Sequence, residues 1–139
     1  MTTVEIRPIE LKDAETISEL SQQLGYSISS SEIKEQLKLI LEEKTHSIFV
    51  AVKNNLVIGY IHCFKAIRLT SSPFMEIAAL VVNESERGNG IGKLLIQKCE
   101  QISQTSIRVR CNTKRELAHQ FYLKNGYKLL KEQKVFENK

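Results

Sequence analysis

The 139-residue chain has the size of one ordinary domain, and its 42% hydrophobic and 26% charged residues are the balance of a folded globular protein. Its longest apolar runs, such as residues 77–82, fall far short of the roughly 20 residues that span a bilayer, and the first residues lack the basic and apolar regions of a secretory signal. The formal charge of +4 is uneven: residues 1–70 carry 8 Lys/Arg against 9 Asp/Glu and residues 71–139 carry 12 against 7, so the second half suits an anionic partner, whether nucleic acid, anionic membrane or a polyphosphate ligand.

In chain order, Thr3 to Ile9, with Val4 and Ile6 ahead of the Arg7-Pro8 break, predicts a short first strand. Ala14, Ile17, Leu20 and Leu24 share one helical face over residues 13–24, and Gly25 stops it. Ser29 with Glu32 forms a capping-box signature, opening a helix with Ile33, Leu37, Ile40 and Leu41 along one stripe. Ser47 to Lys53 and Leu56 to Lys65 are β-rich runs separated by Asn54-Asn55, a tight-turn pair.

Ser71-Ser72-Pro73 marks a loop. Phe74 to Val82, apolar at both parities apart from Glu76, then predicts a central strand buried on both faces. Ile91, Leu94, Leu95, Cys99 and Ile102 give a helical stripe, and Ser106 to Cys111 a strand in which Ile107 and Val109 alternate with Arg108 and Arg110. Thr113 and Glu116 form a second capping box, for a helix that runs to Asn125 and ends at Gly126; Tyr127 to Phe136 reads as a closing strand. No linker, repeat or low-complexity tract intervenes, so the expectation is one domain over residues 1–139, a mixed α/β sheet with helices on both faces, in the cytoplasm.

Cys63, Cys99 and Cys111 have no CxxC spacing and an odd count, which argues against a disulfide framework and a zinc site and leaves them as reduced core or surface thiols. His46 and His62 offer no metal spacing, and no metal is expected. The sharpest feature is the buried strand followed by Arg87-Gly88-Asn89-Gly90-Ile91-Gly92-Lys93 and an amphipathic helix. Glycines there let backbone approach a ligand closely, and the loop amides converge with the free amides of the helix where its dipole is positive, an anion site suited to a pyrophosphate. The bland alternative is a glycine-rich connection that only starts a helix. The segment lacks the four-residue gap and the Ser/Thr of a Walker A loop, and it is not G-x-G-x-x-G.

Arg87-Gly88-Asn89-Gly90-Ile91-Gly92 resembles the Arg/Gln-x-x-Gly-x-Gly/Ala signature of the GNAT superfamily of acyl-CoA N-acyltransferases. A second block, Asn112 followed by residues 118–127, is similar to that family's later motif, and the order of elements matches along essentially the whole chain. The resemblance implies a largely antiparallel mixed sheet whose central strands splay apart, acetyl-CoA as acetyl-donor co-substrate, and a primary amine as acceptor. It also implies roles. Arg87, Gly88, Asn89, Gly90, Ile91, Gly92 and Lys93 would hold the pyrophosphate; Leu80, Val81 and Val82 would line the pantetheine arm, with the backbone of Leu80 and Val82 pairing to it. Asn112 and Phe121 would touch that arm, although Asn112 also reads as a turn residue before Thr113.

Tyr122 stands at the general-acid position, with an ordinary core aromatic as the alternative; Glu76 is the candidate general base, with a structural ion pair as the alternative. The amine would attack the thioester directly, helped by a backbone amide near Leu80. Cys111 has no evident base beside it, and His119 reads as a surface helix residue. The acceptor site would lie against residues 25–31 and 66–73, with Tyr26, Ser27, Ser29 to Ser31, Arg68 and Thr70. The slightly acidic first half is compatible with a cationic amine, without choosing one. A homodimer fits the resemblance only. Rival readings are a non-catalytic acyl-CoA-binding module and nucleic-acid binding; no nucleic-acid motif is present, and neither nucleic acid nor membrane is expected as a partner.

Overall fold

A computed structural model describes residues 3–139. The elements run β1 (Val4–Pro8), a 3-10 turn (Leu11–Asp13), α1 (Ala14–Gln22), α2 (Ser30–Leu41), β2 (His46–Lys53), β3 (Leu56–Arg68), β4 (Ser71–Val82), a 3-10 turn (Glu84–Glu86), α3 (Ile91–Ile102), β5 (Ile107–Val109) and α4 (Glu116–Lys124). They form one sheet in sequence order, antiparallel throughout except for the parallel β4–β5 pair.

Local chemistry explains most of this frame. Asn54 and Asn55 adopt φ of 52° and 62°, the left-handed pair of a tight hairpin turn joining β2 to β3. Ser29 Oγ accepts the Glu32 amide at 3.2 Å and so starts α2 where the capping signature predicts it. Ahead of α1, Arg7 donates two 2.9 Å bonds to the buried Asp13 carboxylate, which also accepts the Glu10 amide at 2.8 Å. Burial alone would raise the Asp13 pKa; those donors outweigh it and hold the carboxyl below its ordinary range.

Two apolar layers flank the sheet. Ile17, Leu20 and Leu37 from α1 and α2 pack on Val50, Tyr60 and Val81, while Ile91, Leu95, Ile96, Cys99 and Tyr122 from α3 and α4 pack on Ala51, Ile61, Cys63 and Ile77. Cys63 and Cys99 are thus core thiols, and all three cysteines are free.

The structure corrects three expectations. Residues 71–73 belong to β4 instead of a loop: β3 runs on to Arg68, opposite Ser71, and Pro73 falls where the ladder is irregular, so no backbone donor is missed. Thr113 does not cap α4, which begins at Glu116 after Arg115 without a side-chain cap. The closing strand over residues 127–136 does not form. The free edge it needs is β5, only three residues long, and Leu129, Leu130, Val135 and Phe136 stay exposed, so pairing there would gain little to offset the ordering of the chain.

Candidate functional site

At the end of β4 the chain is pinned before it turns into the glycine loop. Asn83 Oδ1 accepts the Ser85 amide at 3.2 Å, Arg87 Nε donates to the Val82 carbonyl at 3.2 Å, and Lys53 of β2 pairs with Glu86 at 3.0 Å. Gly88 and Gly90 then take φ of +83° and +80°, with Gly90 as the N-cap of α3. The next helical bond is donated by Leu94 to Gly90. Among the described residues no protein acceptor is bonded to the backbone amides from Gly88 through Lys93, so a run of consecutive N–H groups lines the positive end of α3.

Gly92 does not share the positive φ of its neighbours. It lies inside α3, where an added Cβ would sit 3.0 Å from the Phe121 ring, so its role is to let α4 come close. Phe121, expected beside the pantetheine arm, therefore packs at the root of the loop.

A cleft opens between β4 and β5. The two strands pair only over Met75–Ile77 and Ile107–Val109, yet β4 continues to Val82. Ala78 is an extra residue in the β3–β4 ladder, a bulge that shifts which residues face which layer: Met75 and Ile77 pack with α3 and α4, as do Leu80 and Val82, while Ala79 and Val81 face α1 and α2. The Asn83 amide donates to Ile58 of β3. By antiparallel alternation Val81 also turns its backbone to β3, and Leu80 and Val82 turn theirs to the open side.

The cleft is lined by residues 77–81, by Val109, Arg110 and Cys111, by Arg115 and Tyr122, and by Leu24 and Tyr26 after α1. Tyr122 is buried, edge-on to Phe121 and Tyr127, and its hydroxyl bonds to no group among the described residues. Burial, with Cys111 second, holds that hydroxyl above the ordinary tyrosine range, so it stays protonated at neutral pH. Burial likewise raises the Cys111 thiol, which suits a packed thiol better than a nucleophile. Asn112 forms the corner before α4: its Oδ1 accepts the Lys114 amide at 2.9 Å, while its carbonyl accepts the Arg115 amide at 3.0 Å and His119 Nε2–H at 2.9 Å. The turn role of Asn112 is thus present, and its side-chain nitrogen bonds to no group among the described residues.

Across the sheet, His46, Phe64, Glu76 and Arg108 stand in one cross-strand row. Glu76 Oε1 takes Arg110 Nε at 3.2 Å and lies 3.9 Å from Arg68, so the ion pair foreseen as an alternative does form; Oε2 makes no hydrogen bond among the described residues. Next to this row His46 Nδ1 and His62 Nε2 are 2.9 Å apart. Burial, then His46, lowers the His62 pKa from 6.5 to about 4. The unfolded chain binds a proton there below pH 6.5 and the folded chain does not, so stability falls as pH drops from 6.5 to 4, by roughly 2 kcal/mol once partial exposure is allowed for. Urea midpoints measured at pH 7 and pH 4.5 should differ less in His62→Gln than in the unchanged protein.

The Acetyltransferase (GNAT) family profile matches residues 12–127. The chain belongs to this family. An uncharacterized N-acetyltransferase of Chlorobaculum tepidum is 34% identical over 97 residues, covering 70% of this chain; the chain spans only 58% of that relative's length. Two solved structures share the GNAT fold with this chain: an aminoglycoside N-acetyltransferase AAC(6')-Iy in complex with CoA (TM-score 0.84, 18% identity, 100% of this chain and 96% of that one) and a glucosamine-6-phosphate N-acetyltransferase from Arabidopsis thaliana (TM-score 0.80, 19% identity, 99% of each).

The sequence reading of this GNAT chain missed Arg115 and the hydrogen bond of His119. No pattern in the chain marks Arg115, which enters the cleft only because Asn112 starts its turn three residues earlier. Arg110 was legible: its alternation with Val109 puts it opposite the core, on the face of Glu76.

Proposed function

We propose that the chain is a cytoplasmic, single-domain N-acetyltransferase that moves an acetyl group from acetyl-CoA to a primary amine. The observation that carries this is the unbroken run of unpartnered amides from Gly88 to Lys93 at the start of α3, on the loop that follows β4, the strand that parts from β5. Such a run binds an anion held by main chain, and the CoA pyrophosphate suits it, with Arg87, Asn89, Ile91 and Lys93 completing the cup around the glycines. The open backbone of Leu80 and the Val82 amide, whose carbonyl already accepts Arg87 Nε, are available to the pantetheine amides as a substitute strand edge, with Val81, Asn112 and Phe121 beside it. The free thiols fit a reducing compartment.

In this reading the amine nitrogen attacks the thioester carbonyl carbon, the carbon–sulfur bond breaks, and the backbone amide near Leu80 supports the oxyanion. The amine gives its proton, through water, to the free Oε2 of Glu76, and Tyr122 supplies a proton to the departing sulfur. A phenol kept protonated by burial is suited to that second task.

Thiol detection of CoA release from acetyl-CoA, over a panel of amines, tests the assignment. Amine-dependent release supports the enzyme; tight acetyl-CoA binding without it leaves a binding module. Glu76→Gln should lower kcat/KM at pH 7 by about 10- to 100-fold and recover as pH approaches the amine's own pKa near 10, where the free base no longer needs help. Full activity of that variant at neutral pH would remove Glu76 as the base.

A further inference from the structure

On the sheet face beside Glu76, positive charge exceeds negative. Arg108 stacks on the buried Phe74 ring, with its guanidinium carbon 4.0 Å from the centroid, and Arg68 lies 5.2 Å from the same ring. A guanidinium held over an aromatic face by its carbon keeps its N–H groups available to a carboxylate or phosphate. Arg110 joins them through Glu76. Arg108 has neither a carboxylate nor a hydrogen-bond partner among the described residues, and Arg68 and Arg110 share a single carboxylate, Glu76.

The adjoining cleft repeats the imbalance: Arg110 and Arg115 line it, and no Asp or Glu does. His62, beside the row, is neutral at pH 7. The acidic surplus of the first half sits instead on exposed positions such as Glu15, Glu19, Glu32 and Glu35. A polycationic amine entering this face would meet like charge, whereas an anion would meet oriented donors.

We propose that the acceptor is a primary amine that also carries an anionic group, a carboxylate or a phosphate, and that Arg108 and Arg68, with Arg110 beside them, hold that group. This rests on the N-acetyltransferase reading above. The amine is then oriented toward the cleft while its acidic end stays on the Phe74 platform.

The experiment measures kcat/KM for pairs of acceptors that differ only by the charge: amino acids against their amides, and amino-sugar phosphates against the free amino sugars, with spermidine and an aminoglycoside as the cationic arm. In one of the two anionic classes the charged member should exceed its uncharged partner by about 10- to 100-fold, the value of a charge-assisted bond pair. Which pair responds separates carboxylate from phosphate. Arg108→Ala should bring that ratio down at least about tenfold, and Arg108→Lys should restore part of it, a pattern that loss of packing alone would not give. Calorimetric binding of acetyl-CoA by each variant checks that it is folded. Preference for cationic or uncharged amines, or a ratio unmoved in both Arg108→Ala and Arg68→Ala, overturns the proposal while leaving the transferase intact. No CoA release with any amine, by a protein that still binds acetyl-CoA, removes the transferase reading and this proposal with it.

Discussion

Gly90→Asp should weaken acetyl-CoA binding by at least about 100-fold in a calorimetric titration, with the far-ultraviolet spectrum unchanged. Nothing lies within 4 Å of a Cβ added at Gly90, so the substitution clashes with no neighbour. It has two costs. The first is conformational: Gly90 sits at φ +80°, where a side chain costs about 1–2 kcal/mol, less for aspartate, which tolerates the left-handed region better than most. The second is electrostatic. The new carboxylate would stand within the run of amides from Gly88 to Lys93, where the ligand's own negative charge is expected. Two unit charges about 4 Å apart at an effective dielectric near 20 repel by about 4 kcal/mol, so the electrostatic cost dominates. Gly90→Ala separates the two, since it carries the backbone strain without the charge and should lose no more than about 30-fold. Equal, small losses in both variants would place the anion somewhere other than this loop.

What could be read from the sequence divides along the range of the interactions involved. The loop around Gly88 and Gly90 was legible because its chemistry is local: glycine at positive φ, a helix start, and amides with no partner in the chain. Ser29 and the Asn54-Asn55 turn were legible for the same reason. Gly92 was read as part of that loop, but its cause is the Phe121 ring, 29 residues on in the chain, and only packing reveals it. The strand expected over residues 127–136 failed similarly, since a strand exists only with an edge to pair with and β5 offers three residues.

The candidate site shows the same division. Parity along residues 106–111 set Arg108 and Arg110 apart from Ile107 and Val109, and the register puts Arg108 beside Glu76. Parity along β4 misleads, because the bulge at Ala78 exchanges faces midway. An unbroken count would put Glu76 on the side of Leu80 and Val82; the bulge puts it with Ala79 and Val81, on the arginine face. A single inserted residue thus decides which charges Glu76 meets.

Tyr122→Phe should lower kcat by about 100-fold while leaving the KM for acetyl-CoA within a few-fold, because general-acid help contributes about 10²- to 10⁴-fold and acts only as the sulfur departs. The substitution is structurally mild. The ring keeps its edge contacts with Phe121 and Tyr127, and no protein hydrogen bond is lost, since the hydroxyl makes none among the described residues. An ordinary core aromatic would therefore tolerate it without kinetic effect, which is what makes the variant informative. The pH profile adds a second reading. Burial raises the Tyr122 hydroxyl above its ordinary value, so the acid form persists through neutral and mildly alkaline pH, and loss of activity below about pH 10 cannot come from ionisation of this group. If the alkaline limb of the unchanged protein falls below that and persists in Tyr122→Phe, another group carries it. If instead kcat is the same in both proteins, the sulfur leaves without a proton from Tyr122, and the hydroxyl that no protein group satisfies must be explained by water in the cleft.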